Sequence, residues 1–418
     1  MDLLSKRILY CFLGIWFVAV VVVIWNPIDF YPISSYTFLL VYLNIISFTL
    51  GFISYKIPLK RISGSNLDRL GFNIDAFINN NVFRLVLGIA ILYTTSLIIK
   101  NYQTMILYES LSYTRDAYFE DAGKLYGAHF VLLRDYFLNP LAIVLIPVFA
   151  YCCYKKRIWE SIFIGVFLLE HASLSGGRFD YARILFGLVF VIFCVWSKKI
   201  SKRIVFAFGA VFAVFVGIIM ITTMLRSGNL DISKEGINES QEDVSDQIAL
   251  YIGGPIAALN YAIDNDYVNK MGGHTYGICT FNPFDHLLQP VIKFVNPQRL
   301  PASNKFIGYK QENMIRITPL TGGYNGLYTA ILFFYMDFGV LGVLFLPFIL
   351  GLFVRFVFYN LYKCNNVPAL ALASWFFGKV LYSVFDFDAV SYLPVFYFLI
   401  YYIWSRRTMN PSSDYSFS

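Results

Sequence analysis

Apolar residues gather in ten runs along the chain: 8–25, 33–53, 83–99, 136–154, 158–173, 182–197, 204–223, 338–360, 367–384 and 390–404. A hydrocarbon layer about 30 Å thick takes roughly 20 helical residues to cross. Several runs fall short of that length, which tilting, local thinning or extension at the ends accommodates. A further apolar stretch, 326–336, is either a half-helix or an extension of the span after it. The pattern predicts an all-α integral membrane protein of about ten transmembrane helices. It divides the chain into helices 1–7 with short loops (1–222), a large outer loop containing short helices (223–325), a half-helix with helices 8–10 (326–404), and a tail (405–418).

The polar breaks set the orientation. Lys6-Arg7, Lys56/Lys60/Arg61/Arg69, Lys155-Lys156-Arg157, Lys198-Lys199/Lys202-Arg203, Lys363 and Arg406-Arg407 fall at every second boundary. An excess of Lys and Arg marks the cytoplasmic side, so both termini are expected there. The outer side then receives about 100–135, a tight turn at 174–181, and the long loop. The beginning of that loop, Asp231 to Asp246, is acidic and is expected to be mobile.

Composition agrees with the pattern. The 418 residues are 58% hydrophobic and 14% charged, against about 25% charged in soluble domains. Aromatics reach 19%, and Tyr and Trp suit a bilayer interface. The net charge of +7 lies in the topological clusters, so nucleic acid is not an expected partner. Lys6-Arg7 and the run after it resemble a signal peptide, but the run is long and Trp25-Asn26-Pro27 is a poor cleavage site, which favours an uncleaved first span. Of six Cys, only Cys279 falls in an expected outer loop, leaving it no disulfide partner there.

Candidate chemistry collects on the outer side. The turn Ser175-Gly-Gly-Arg178-Phe-Asp180-Tyr-Ala-Arg183 joins two spans with almost no loop. Arginine in a membrane is costly, about 3 kcal/mol at the centre and less near the interface. Arg178 and Arg183 therefore read as an anion site, or as interfacial arginines paired with Asp180. Arg226 follows a span on the outer side, against the positive-inside bias. Arg299 and Arg316, with Lys293, Lys305 and Lys310, outnumber the single acid Glu312. Such a basic face suits a lipid diphosphate, which the arginine fork binds in a bidentate way, or the headgroups of anionic membrane lipid.

His129, His171, His274 and His286 have no metal-ligand spacing, so no metal site is expected. His274, Asp285 and His286 in the loop could each take a proton from a hydroxyl. Asp337, in Tyr335-Met-Asp337-Phe-Gly339, is either a catalytic acid or base, or the cap of a helix beginning near Gly339. Lys379 lies inside a span, about two helical turns before Asp386 and Asp388, where it snorkels outward or pairs with an acid.

Three features resemble the bacterial oligosaccharide repeat-unit polymerases of the O-antigen polymerase (Wzy-type) group. They are the Gly-Gly-Arg178 turn, the large outer loop with Tyr251-Ile-Gly-Gly-Pro-Ile256, and Asn325-Gly-Leu-Tyr328-Thr329 followed by Phe334-Tyr335-Met-Asp337-Phe338-Gly339-Val-Leu-Gly342. The family often carries Asn-x-Tyr-Thr followed by Tyr-x-Asp-Phe-Gly, and here one extra residue separates Asn325 from Tyr328. The layout matches over most of the chain and the motifs over about a tenth of it. Arg226 and Gly236 do not match the family's Arg-to-Gly spacing, so that motif is not carried over.

The resemblance implies a metal- and cofactor-independent glycosyltransferase of glycosyltransferase-C-like architecture. Its substrates would be undecaprenyl-diphosphate-linked glycans on the periplasmic face of the inner membrane, with a chain-length-regulating co-polymerase as partner. The expected catalytic group is Arg178, Arg226, Arg316, His286 and Asp337. The expected substrate-binding group is Arg183, Arg299, Asn325, Tyr328 and His274. The base stays open among His274, Asp285, His286 and Asp337. An O-antigen ligase shares the architecture. A flippase of lipid-linked sugars would carry its charge along the membrane core, and a membrane O-acyltransferase would need a His within the spans, where His171 is the candidate.

Overall fold

A computed structural model describes residues 3–55, 73–108, 126–175, 178–195, 217, 234–281, 306, 308, 315–319, 324, 327–364 and 366–386. The apolar runs 204–223 (apart from Gly217) and 390–404 lie outside the described residues, and each of the other eight falls on helix. The described helices include α1 (Leu3–Trp25), α2 (Ser35–Ser54), α3 (Asn81–Tyr108), α4 (Ala128–Leu133), α5 (Asn139–Lys155), α6 (Ile158–Ser175), α7 (Arg178–Val195), α8 (Lys234–Asp264), α9 (Tyr267–Lys270), α10 (Ala330–Cys364) and α11 (Val367–Tyr382). A π-helical turn, Arg134–Leu138, joins α4 to α5. Among the described residues the only β-pairing is an isolated bridge between Ile315 and Tyr324.

Among the described residues, five helical segments are long and apolar enough to cross a membrane: Leu4–Trp25, Ser35–Ser54, Asn81–Thr104, Tyr136–Lys155 and Ala330–Tyr359. The chain is thus all-helical with the character of a multi-pass membrane protein. Its large exposed side chains agree, since Phe17, Leu39, Leu85, Leu92 and Phe345 all face outward from these segments.

Helix starts follow from local chemistry. Ser34 caps α2 by accepting from the Thr37 amide at 3.2 Å, and Asn366 caps α11 by accepting from the Ala369 amide at 2.9 Å. The central crossing is between α2 and α10. A Cβ on Gly51 would stand 2.0 Å from the Phe348 carbonyl oxygen, and one on Gly351 would stand 2.3 Å from that of Phe48. Only paired glycines let these backbones touch, the device by which small residues replace the hydrophobic effect between helices in lipid.

The long loop departs from expectation at its beginning. The acidic stretch read as mobile is helical from Lys234, forming the first half of α8. Its continuation, Ile248–Asp264, is apolar and docks on α1 and α2. Asn260, 6% exposed, anchors the docking. Its Oδ1 accepts from the Ser34 amide at 2.9 Å and from the Thr37 hydroxyl at 2.8 Å, while its Nδ2 donates to Asp264 at 2.7 Å. A docked apolar half supplies the stability from which the polar half propagates.

The stretch 326–336 resolves as a half-helix. Within α10, Phe338 (φ −142°) and Gly339 (φ +61°, ψ −142°) leave helical geometry and split the element in two. The Gly339 backbone lies where side chains are strained. A Cβ on Gly342 would reach within 2.0 Å of the Phe334 carbonyl oxygen, so the spacing Gly339-x-x-Gly342 builds the break. Before it, Ala330 to Phe334, Met336 and Asp337 are buried in protein. After it, Val340, Leu341, Leu344, Phe345 and Ile349 are exposed along one helical stripe.

Candidate functional site

The break in α10 is held from the long loop. Asp337 is fully buried, and both of its oxygens are engaged. Oδ1 accepts from the Thr275 hydroxyl at 2.5 Å and the Cys279 amide at 3.0 Å, and Oδ2 accepts from the Thr280 amide at 2.7 Å. The Thr275 amide donates to the Met336 carbonyl at 3.0 Å, and the Tyr276 amide to the Asp337 carbonyl at 3.2 Å. Asp337 therefore caps the turn at 276–281, contributed by the long loop, in place of the helix that begins near Gly339.

This turn positions His274. Its Nδ1 lies 3.2 Å from the Met336 carbonyl oxygen. A carbonyl only accepts, so Nδ1 carries the hydrogen and Nε2 of the neutral ring keeps its lone pair. The ring is exposed and lies over the break, where a Cβ on Gly339 would meet its Cε1 at 3.3 Å. The geometry thus leaves His274 an exposed residue whose Nε2 lies over Gly339, while the Asp337 carboxylate accepts three donors.

A second polar centre lies between α5, α7 and α11. A small, mostly apolar cleft is lined by Ile143, Ile146, Arg183, Phe186, Ser374, Trp375, Gly378, Lys379 and Tyr382. The Lys379 ammonium, on a residue 5% exposed, sits 4.1 Å from the Trp375 ring centre and 5.5 Å from that of Tyr382. The Arg183 guanidinium lies 5.7 Å from the same indole, and its Nη1 donates to Asp180 Oδ1 at 2.6 Å. Aromatic faces stabilise cations by roughly 1–2 kcal/mol where water is scarce. The Trp375 Nε1–H is buried with no hydrogen-bond partner among the described residues. Two cations, with Ser374 and Trp375, line this cleft, and Arg183 is paired with Asp180. Such a cleft can receive an anion.

The half-helix opens against the end of α11. The Ala330 amide, opening the half-helix, donates to the carbonyl of Ser383, which follows Tyr382 at the end of α11, at 2.9 Å. Beside it lies a tyrosine cluster. Tyr328 is fully buried with its hydroxyl 3.4 Å from that of Tyr267. Tyr324 packs under α8, and burial pushes its phenol well above the usual value. Its hydroxyl has no hydrogen-bond partner among the described residues.

Of the residues singled out from sequence, the structure brings His274 and Asp337 into one junction, puts Tyr328 behind it, and puts Arg183 in the cleft. Arg178 opens α7. Arg316 is exposed between buried Ile315 and Ile317, on the bridge to Tyr324. Arg226, His286, Arg299 and Asn325 lie outside the described residues. Sequence reasoning did not assign Trp375, Ser374 or Lys379 to a site. The available signal was Lys379 itself, since Trp375 and Tyr382 stand at i−4 and i+3 from it on a helix.

Comparison with protein-family models, curated proteins and solved structures found no match for this chain.

Proposed function

We propose that the chain polymerises lipid-linked oligosaccharide repeat units into a surface polysaccharide such as O-antigen. It would work as a protein of about ten spans and glycosyltransferase-C-like architecture, on the periplasmic face of a bacterial inner membrane. The observation that carries this reading is the Arg183–Lys379 cleft, a set of donors between helix ends that the charge pattern orients outward. The Asp-Phe-Gly junction beside an exposed histidine adds support.

In this reaction the acceptor sugar hydroxyl gives its proton to His274 Nε2, and its oxygen attacks the anomeric carbon of the donor glycan. The bond from that carbon to the diphosphate oxygen breaks, and undecaprenyl diphosphate leaves with the electron pair. Arg183, Lys379, the Ser374 hydroxyl and the Trp375 Nε1–H meet the charge that develops on the leaving oxygens. Such donors act most strongly where water is excluded, and each is worth on the order of 3 kcal/mol, about a hundredfold in rate. Asp337 holds the geometry of the base.

Deleting the gene in its host and resolving the surface polysaccharide on a gel tests the reading. The expected result is loss of the ladder with single-repeat material retained. An unchanged ladder overturns it, and full-length polymer left on its lipid carrier identifies a ligase instead.

A further inference from the structure

The turn at 276–281 is apolar where it faces out. Tyr276 is 79% exposed, Phe281 45% and Ile278 38%, while Cys279 and Thr280 point inward and are buried. Its polar backbone is satisfied against Asp337 and Met336, so the turn is held firmly with its greasy side outward. The Tyr276 ring lies 6.3 Å from that of Phe338, itself 39% exposed. Beyond the break the exposed stripe continues through Val340, Leu341, Leu344, Phe345 and Ile349 on a helix long enough to span.

Helix length sets the depth of this surface. From Val340 to Tyr359 there are about 20 helical residues, or about 30 Å, the full hydrocarbon thickness. The half-helix before the break is buried in protein and needs no lipid. The break at Phe338-Gly339 therefore falls at the outer edge of the hydrocarbon, and the turn lies at the same edge. That is where the ring of a tyrosine is apolar on one side and wet at its hydroxyl.

We infer that residues 276–281 form a tongue that dips into the outer leaflet, with lipid acyl chains as its occupant, and that Asp337 is the anchor holding it there. The occupant follows from the unbroken continuity of the tongue with the lipid-facing stripe of α10. As a result His274, at the root of the tongue, is held at the depth of the lipid headgroups. This inference does not depend on the polymerase reading.

The full chain, reconstituted in vesicles of phosphatidylethanolamine and phosphatidylglycerol, tests it. The vesicles carry a trace of lipid bearing a photoactivatable diazirine, either near the acyl carbonyl or at the terminal methyl, and labelled peptides are mapped by mass spectrometry. The expected result is that the shallow probe labels 276–281 as strongly as 338–341, while the deep probe labels 344–349 and spares the tongue. Labelling of 276–281 by a water-soluble diazirine alone overturns the inference, and so does absence of all label there, which would mean another part of the protein covers the turn. Tyr276→Asp with Phe281→Asp should cut shallow labelling of the tongue at least fivefold while labelling at 344–349 persists. Equal labelling in that variant overturns the inference. Neither readout uses activity, so failure here is distinct from failure of the proposed function.

Discussion

Asp337 and the Arg183–Lys379 cleft are both polar centres set among apolar helices, and they are satisfied in opposite ways. The Asp337 carboxylate accepts three hydrogen bonds, two from backbone amides of a distant loop. Its charge is spent inside the protein, on geometry. In the cleft, two cations rest on aromatic faces beside an indole N–H that has no hydrogen-bond partner among the described residues. The Arg183 guanidinium also donates to Asp180 at 2.6 Å, so there the aromatic face supplements an ion pair. The contrast separates a residue that builds a site from residues able to act in one, and charge in an apolar run signals both equally.

Asp337→Ala should produce the largest effect. It leaves the buried Cys279 and Thr280 amides without acceptors, at about 1–3 kcal/mol each. The tongue should detach, and thermal unfolding in detergent should shift downward together with loss of activity. An Asp337→Ala protein that melts like the wild type and keeps its activity breaks the comparison at its first member.

His274→Asn comes next. The shorter amide can still donate toward the Met336 carbonyl but presents no basic nitrogen in place of Nε2. General-base catalysis typically contributes 10²- to 10⁴-fold, so repeat-unit polymerisation in vesicles should fall by about that factor with the melting temperature nearly unchanged. Full activity in this variant excludes His274 as the base.

Lys379→Met sharpens the second member. It preserves most of the side-chain volume and removes the charge, and burying a thioether there costs little packing. Activity should fall about a hundredfold, with stability equal to or above that of the wild type, because a buried charge is expensive to keep. Arg183→Lys should lie between, keeping charge but losing the planar fork. A large drop in stability with no separate loss of rate would make Lys379 a structural residue.

How far all this was legible follows from the range of the forces involved. The spans were readable because a run near the length of the bilayer encodes its own environment; α1, α2, α3, α6 and α11 fall close to the expected runs. The half-helix was readable as an apolar surplus before residue 338, yet its boundary depended on the backbone of Gly339 and the close approach at Gly342. The helicity of the acidic opening of α8 was not legible, because composition measures its polarity while the helix continues from the docked half around Asn260. Asp337 was noticed, but its donors stand 57 to 62 positions away, beyond any local pattern. The aromatic partners of Lys379 lie one turn away on the same helix, and spacing alone would have found them.

Tyr324→Phe should have the smallest effect, and it tests whether an unsatisfied polar atom by itself marks a working residue. The Tyr324 hydroxyl is buried with no hydrogen-bond partner among the described residues, so it bears a desolvation cost without return. Removing it should be neutral or stabilise by up to about 1 kcal/mol. Burial raises the pKa of the folded phenol, so the folded state holds this proton more tightly than the unfolded chain. The associated stability is present below the ordinary tyrosine value of about 10 and declines above it. Wild-type melting should therefore fall at alkaline pH, and the Phe variant should fall less over the same range. If instead activity drops tenfold at unchanged stability, the hydroxyl meets substrate. The tyrosine cluster would then join the cleft as a part that acts, and Asp337 would remain the part that builds.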